Sequence, residues 1–216
     1  MADPNLNKLL KWSIENSEAT RNDVDAPTDP QAQREPNNGL TQEMLAQLMG
    51  GPSDADLMKE SMAAIHSPDV SHKDKMIAWD NFEQLIEGLD NANNMESLGL
   101  WMPLVEKLDD KESEVRMMAC WCISTAVQNN VKSQERLLAV GALPKIIDIA
   151  INDDTQSVRR KAVSALSSAI RNYQPALDAA LKHLPQQFQP AGKVDAAEME
   201  DVDSIIGPMR DHAAKQ

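Results

Sequence analysis

Ser113-Glu-Val-Arg-Met-Met-Ala-Cys-Trp-Cys-Ile-Ser-Thr-Ala-Val-Gln-Asn129 is answered forty-three positions later by Gln156-Ser-Val-Arg-Arg-Lys-Ala-Val-Ser-Ala-Leu-Ser-Ser-Ala-Ile-Arg-Asn172. Val115-Arg116 returns as Val158-Arg159, and the register then holds for a full helix. Ala119 matches Ala162, Ile123 matches Leu166, Ala126 matches Ala169, Val127 matches Ile170 and Asn129 matches Asn172. Between the copies lies Val140-Gly-Ala-Leu-Pro-Lys-Ile-Ile147, a turn followed by an apolar helix. A period near forty residues built from helices and short turns is the signature of an α-solenoid of the HEAT or armadillo kind. Such stacks present a surface to a partner rather than enclose a reaction centre.

Working outward, a looser copy precedes this pair. Ser71 with Asp74 makes a capping-box pattern before a long helix whose apolar face is Phe82, Leu85, Ile86 and Leu89. A polar turn is expected at Asp90-Asn-Ala-Asn-Asn94, then a short helix near Met95 to Leu98 and another from Trp101 to Leu108. The repeats thus run over about 71–110, 113–152 and 156–185. The predicted fold is all-α, a short right-handed armadillo-like solenoid over residues 39–185. Its N-terminal cap is drawn from 41–66, where Thr41 and the Ser53/Asp56 pair can each start a helix. In front, Asp3-Pro4 opens a short amphipathic helix with Leu6, Leu9, Leu10 and Ile14 on one face and Trp12 off it. Asn16 to Asn38 is poor in apolar residues and rich in Pro, Asp, Asn and Gln, so it is read as a disordered linker. Behind, residues 186–216 are expected to be an acidic, mostly flexible tail, with at most a short capping helix at Ser204-Ile-Ile-Gly-Pro208.

Bulk composition narrows the function. Aromatic residues are only 3% of the chain, Met reaches 12, and the formal charge is −13. Such a charge repels phosphate backbones and anionic membrane surfaces, so nucleic acid and membrane are not expected partners. No apolar run approaches the roughly 20 residues of a membrane span, and the first fifteen residues lack the apolar core of a secretory signal. Cys120 and Cys122 sit on one helix and point about 200° apart, which rules out a bond between them and suits two small buried thiols. A reducing compartment, the cytoplasm, follows.

Chemistry is sought and not found. The four histidines, His66, His72, His183 and His212, have no Cys or carboxylate at metal-ligand spacing. There is no phosphate loop, no G-x-S-x-G and no H-E-x-x-H. Asp109-Asp110 and Asp153-Asp154 lie between helices, where acids favour the following helix N-terminus. The expectation is a non-enzyme without metal or cofactor, acting as a monomer. The Asn-rich turns recur at the ends of equivalent helices, so stacking would line Asp90–Asn94, Asn129-Asn130 and Arg171-Asn172 along one edge. Two roles are open to them: helix termination, since Asn tolerates left-handed geometry, or a row of amides offered to a partner.

Gly141-Ala-Leu-Pro-Lys-Ile-Ile147 followed by Ser157-Val-Arg-Arg-Lys-Ala-Val-Ser-Ala-Leu-Ser167 resembles the armadillo repeat consensus. Leu9-Leu-Lys-Trp-Ser-Ile-Glu-Asn-Ser17, Leu57-Met-Lys-Glu-Ser-Met62 and Asp80-Asn-Phe-Glu-Gln-Leu-Ile-Glu-Gly-Leu-Asp-Asn-Ala-Asn-Asn94 are similar to the fungal cytosolic members of the armadillo-type nucleotide-exchange factors of the 70-kDa heat-shock chaperone. That resemblance spans about residues 6–184. It implies a co-chaperone that embraces a lobe of the chaperone's ATPase domain, speeds ADP release and so frees the client. By the same resemblance, Ala92 with Asp90, Asn91, Asn93 and Asn94 matches a stretch the family uses against the chaperone. Phe82, Glu83, Asn129, Asn130, Arg171 and Asn172 are further partner-binding candidates. The segment carrying Leu6, Leu9, Leu10, Trp12 and Ile14 resembles a mobile family element that competes with clients for the chaperone's peptide groove. Family members usually carry a fourth repeat, and here the pattern decays after about Pro185. The rival reading is an armadillo adaptor that holds a linear basic peptide on an acidic groove with Asn and Trp ladders, as in nuclear import.

Overall fold

The structure is a computed structural model that describes residues 51–215. The expected N-terminal helix, the linker to Asn38 and the helix from Thr41 lie outside the described residues. From Ser53 onward the chain forms one compact unit. Every regular element among the described residues is helical.

Two serines start the stack in the same way. Ser53 precedes α1 (Asp54–His66) and Ser71 precedes α2 (His72–Ile86). Each hydroxyl accepts from the backbone amide three residues on, at 3.2 Å, and donates to that residue's carboxylate at 2.7 Å. These are reciprocal capping boxes with Asp in place of Glu. The Ser53 hydrogen bond holds the Asp56 carboxyl below its ordinary value.

The duplicated stretch becomes α5 (Ser113–Val127) and α8 (Gln156–Ile170), each fifteen residues long like α2. The helix α5 lies between α2 and α8. A short helix follows each long one: α3 (Leu89–Asn94), α6 (Val131–Ala139) and α9 (Gln174–Leu181). Then come α4 (Trp101–Glu106), extended by a 3-10 turn over Lys107–Asp109, and α7 (Leu143–Asn152). The sequence register is reproduced in burial. Val115, Ala119, Ile123, Ala126 and Val127 are buried, and so are Val158, Ala162, Leu166, Ala169 and Ile170. Their apolar side chains form one core running through the repeats, the contiguous interior that a solenoid assembles layer by layer.

The paired arginines do the same job twice. Arg116 donates to the carbonyl of Asp110 and Arg159 to that of Asp153, each six residues back. Arg116 also reaches into the next layer and grips the Asp153 carboxylate with two parallel bonds, at 2.7 and 3.1 Å. Asp153 in turn accepts from the Thr155 amide at 2.9 Å. One buried carboxylate therefore ties the end of α7, the start of α8 and the helix before them.

Three expectations need correction. The stretch Asp90–Asn94 is not a turn but the body of α3; Gly88, extended at φ −69° and ψ 123°, ends the previous helix early and lets a new one begin. In consequence Leu89 leaves the apolar face of α2 and stands 58% exposed. Residues 95–99, expected to hold a short helix, are turn, with Gly99 at φ +68°. The largest departure is at the C-terminus. Residues 199–214, expected to be flexible, form the sixteen-residue helix α10 (Met199–Ala214), which buries Val202, Ile205, Ile206, Met209 and Ala213 against α8 and α7. That apolar stripe covers the last layer of the stack, a full end cap where at most a short helix at 204–208 was expected. Pro208 sits inside this helix.

Candidate partner interface

The three short helices α3, α6 and α9 lie in order, α6 between its neighbours. The turns that lead into them therefore share one edge of the molecule. Asn129 and Asn172 occupy equivalent places on it, with φ of 52° and 56°. Left-handed backbone is costly for most side chains and cheap for Asn, which explains the residue type at both turns. Both side chains are exposed, as is Asp90. Leu89 and Val131, the first residues of α3 and α6, are 58% and 49% exposed on the same edge. Sequence reasoning placed Leu89 in the core and passed over Val131; the signal for both was an apolar residue at the first position after a helix stop.

Most of the amides have internal work. The Asn91 side chain donates to the Leu85 carbonyl at 2.9 Å and to the Asp54 carboxylate, closing the end of α2. Asn130 is buried; it donates to the Ala126 carbonyl at the end of α5, and its oxygen accepts from the Ser133 amide at the start of α6. Gln134, absent from the sequence-based candidates, donates to the carbonyls of Ser168, Ala169 and Arg171 at the end of α8. Each long helix thus finishes on a side-chain amide that satisfies its orphan carbonyls. Helix termination is the dominant role, and the amides left for a partner are fewer than the sequence suggested.

Several candidates are withdrawn from the surface altogether. Ala92 is 3% exposed, with the Ser133 hydroxyl above its carbonyl. Phe82 is fully buried in the core. Glu83 is 7% exposed, and its carboxylate accepts from the Thr125 hydroxyl at 2.6 Å, tying α2 to α5. The small Ala92 side chain keeps α3 close against α6. Arg171 is half-buried, bonded to the Ser167 hydroxyl and paired with Asp203 of α10. The backbone amide of Asn172 donates to Ala196 at 2.8 Å, so the C-terminal segment braces the third turn of the edge. Asn93 and Asn94 remain half-exposed on α3.

The described tryptophans do not form the exposed ladder that the rival peptide role calls for. Trp79 is fully buried and Trp101 is 3% exposed. Trp121 is half-exposed, and the Lys161 ammonium lies 3.6 Å from its ring centroid, a cation–π contact within the chain. Burial lowers the Lys161 pKa below its ordinary value, while Glu83 pulls it the other way. The Ser124 and Ser168 hydroxyls continue the cross-links at 3.2 Å.

Cys120 and Cys122 are free and buried; burial pushes the Cys120 thiol up to about 12 and raises Cys122 well above its ordinary value. No cluster of His, Cys, Asp or Glu among the described residues is arranged to hold a metal ion, and no described helix is long and apolar enough to cross a membrane.

Comparison with known proteins agrees with this architecture. A designed armadillo repeat protein in complex with peptide (KR)4 superposes with a TM-score of 0.51 over 73% of this chain and 70% of its own; at 21% identity it speaks to the fold alone. The Hsp70 nucleotide exchange factor FES1 of Gibberella zeae is 56% identical, covering the whole of both chains. The Coccidioides immitis protein of the same name is 48% identical over 97% of this chain and 98% of its own. The family described as nucleotide exchange factor Fes1 matches residues 6–95, and the SIL1/FES1/HPBP1 C-terminal domain matches residues 91–187. With both halves matched and the relatives aligned end to end, the chain belongs to the Fes1 nucleotide exchange factor family.

Proposed function

We propose that the chain is a co-chaperone that binds the ATPase domain of a cytosolic Hsp70 chaperone and accelerates loss of ADP, so that ATP enters and the client is released. The observation that carries this is end-to-end similarity, at 56% identity, to a protein named as an Hsp70 nucleotide exchange factor. The physical requirements are modest. An exchange factor needs no catalytic group; it needs only to bind one conformation of the chaperone more tightly than another. Reciprocity follows: if it weakens ADP binding by some factor, ADP weakens its own binding by the same factor.

The surface we assign to the chaperone is the α3–α6–α9 edge, with Asp90, Asn93, Asn94, Asn129 and Asn172 as polar contacts and Leu89 and Val131 as apolar ones. Exposed apolar side chains within a polar rim are what a partner interface requires. Glu83, Phe82, Ala92, Asn130 and Arg171 act behind it, holding the helices that present it. The segment of Leu6, Leu9, Leu10, Trp12 and Ile14 is assigned to the chaperone's client groove.

The test is stopped-flow release of labelled ADP from a purified cytosolic Hsp70. Micromolar protein is expected to accelerate release, and no acceleration would sink the proposal. Leu89→Glu and Val131→Glu are expected to weaken the effect by about tenfold each, the value of one buried apolar anchor lost at roughly 1.4 kcal/mol. Because both residues are about half exposed, melting should not change; full activity in both variants would move the interface elsewhere.

A further inference from the structure

A cleft of about 260 Å³ opens between α3–α4 and α6, beside the edge just described. Its walls include Asn93, Trp101, Lys132, Glu135 and the Glu96–Arg136 ion pair. The volume lies below the roughly 300–1,000 Å³ of small-molecule sites, so it suits one side chain. The Asn93 Oδ1 is shielded from solvent and accepts no hydrogen bond from any described residue. Buried polar atoms nearly always have partners, and an orphan calls for a reason. Lys132 and Glu135 face the same cleft without an ion pair to another described residue.

We propose that this cleft receives one uncharged amide side chain, an asparagine or glutamine on a surface loop of the chaperone's ATPase domain. The inference rests on the exchange-factor reading and adds the chemistry of one contact. An amide carries donors and an acceptor in one plane. Its N–H group donates to Asn93 Oδ1, which a small turn about the broad χ2 torsion brings toward the opening. Its carbonyl accepts from the Lys132 ammonium, and its short stem lies on Trp101. Charge decides against the alternatives. Glu96 is matched by Arg136, which leaves Glu135 and Lys132, so a cation or an anion would each meet one unmatched neighbour of its own sign. A dipole meets none.

Asn93→Leu separates this role from a structural one. It removes the acceptor and the orphan together at nearly constant volume, so melting should stay the same or rise. The affinity for ADP-loaded ATPase domain, measured by interferometry with the full chain, is expected to fall about five- to tenfold, the value of one hydrogen bond. Lys132→Ala, on the surface of α6, is expected to weaken binding in the same direction by a smaller factor, and it decides the matter if Asn93→Leu folds poorly. Unchanged affinity in Lys132→Ala and a well-folded Asn93→Leu overturns the proposal. Tighter binding by Asn93→Asp overturns the amide assignment in favour of a cationic guest. A wild-type chain that neither binds nor accelerates release removes the exchange-factor reading itself, a result distinct from any of these.

Discussion

Arg116 and Arg159 are one residue used twice, and their difference shows what each layer of the stack needs. Both close the turn before their own helix. Arg116 then spends its remaining donors on Asp153, whose side chain is 4% exposed, whereas Arg159 reaches Ala213 in the C-terminal helix. The Asp153 hydrogen bond raises the Arg116 pKa above its already high value. Removing Arg116 leaves a buried carboxylate without its partner. Arg116→Ala is therefore expected to cost about 3 kcal/mol, which lowers the melting temperature of a domain this size by roughly 6–12 °C in a thermal scan. Arg116→Lys should recover only part of this, because an ammonium cannot make the two-pronged contact. His72 is a second inter-layer contact. Its two ring nitrogens lie 2.6 Å from Glu112 and 2.7 Å from Glu114, and the Glu114 hydrogen bond, aided by both carboxylate charges, raises its pKa. A raised folded-state pKa adds stability that is fully present below the unfolded value, near 6.5, and disappears as pH climbs through the folded value. Melting curves from pH 5.5 to 8.5 should therefore show a contribution at the acid end that His72→Gln abolishes. A flat difference between wild type and variant would remove His72 from the account. The recurrence of Val-Arg was plain in the sequence, but its acceptor lies 37 residues away and no local pattern announces it.

At the scale of elements, α10 and α3 are the instructive cases. The apolar residues of α10, Val202, Ile205, Ile206, Met209 and Ala213, do recur at helical spacing. Acidic neighbours and Gly207-Pro208 hid that rhythm, since Pro removes a backbone donor and usually ends a helix. Burial of the stripe on α8 outweighs the loss. Ile206→Ala is expected to destabilise by about 2–4 kcal/mol, as other large-to-small core changes do. Ending the chain before Met199 should lower the melting temperature further and speed native-state alkylation of Cys120 and Cys122. Those thiols are buried and resist deprotonation, so their reactivity reports opening of the core; unchanged alkylation after truncation would mean α10 carries no stability. In α3 the error ran the other way. Asp, Asn and Gly are turn formers taken singly. Here the Asn91 amide, by capping α2, anchors a short helix that propensity alone would not support.

At the largest scale, the consequence is a stiff array whose α3–α6–α9 edge is set from behind. Glu83 to Thr125 and Ser124 to Ser168 link successive long helices, and the C-terminal segment holds the third turn through Asn172. A rigid edge can favour one shape of a partner over another, which is what exchange demands. If the segment before residue 39 acts on the client groove, its deletion should leave ADP release intact and slow the freeing of a bound client. The two assays run side by side, and equal client release with and without the segment would restrict function to the stack.

The sequence by itself determined the solenoid and the register of its core, because repetition at a period near forty constrains every buried position at once. It also pointed to the family, since the Asp80–Asn94 block is distinctive. Only the tertiary structure decided which of the candidate residues meet solvent. Asp90 and Ala92 are two positions apart on a short helix, and one is exposed while the other lies beneath the Ser133 hydroxyl, 41 residues along the chain. Exposure is a property of neighbouring layers, and layers are brought together by contacts that no stretch of sequence contains on its own.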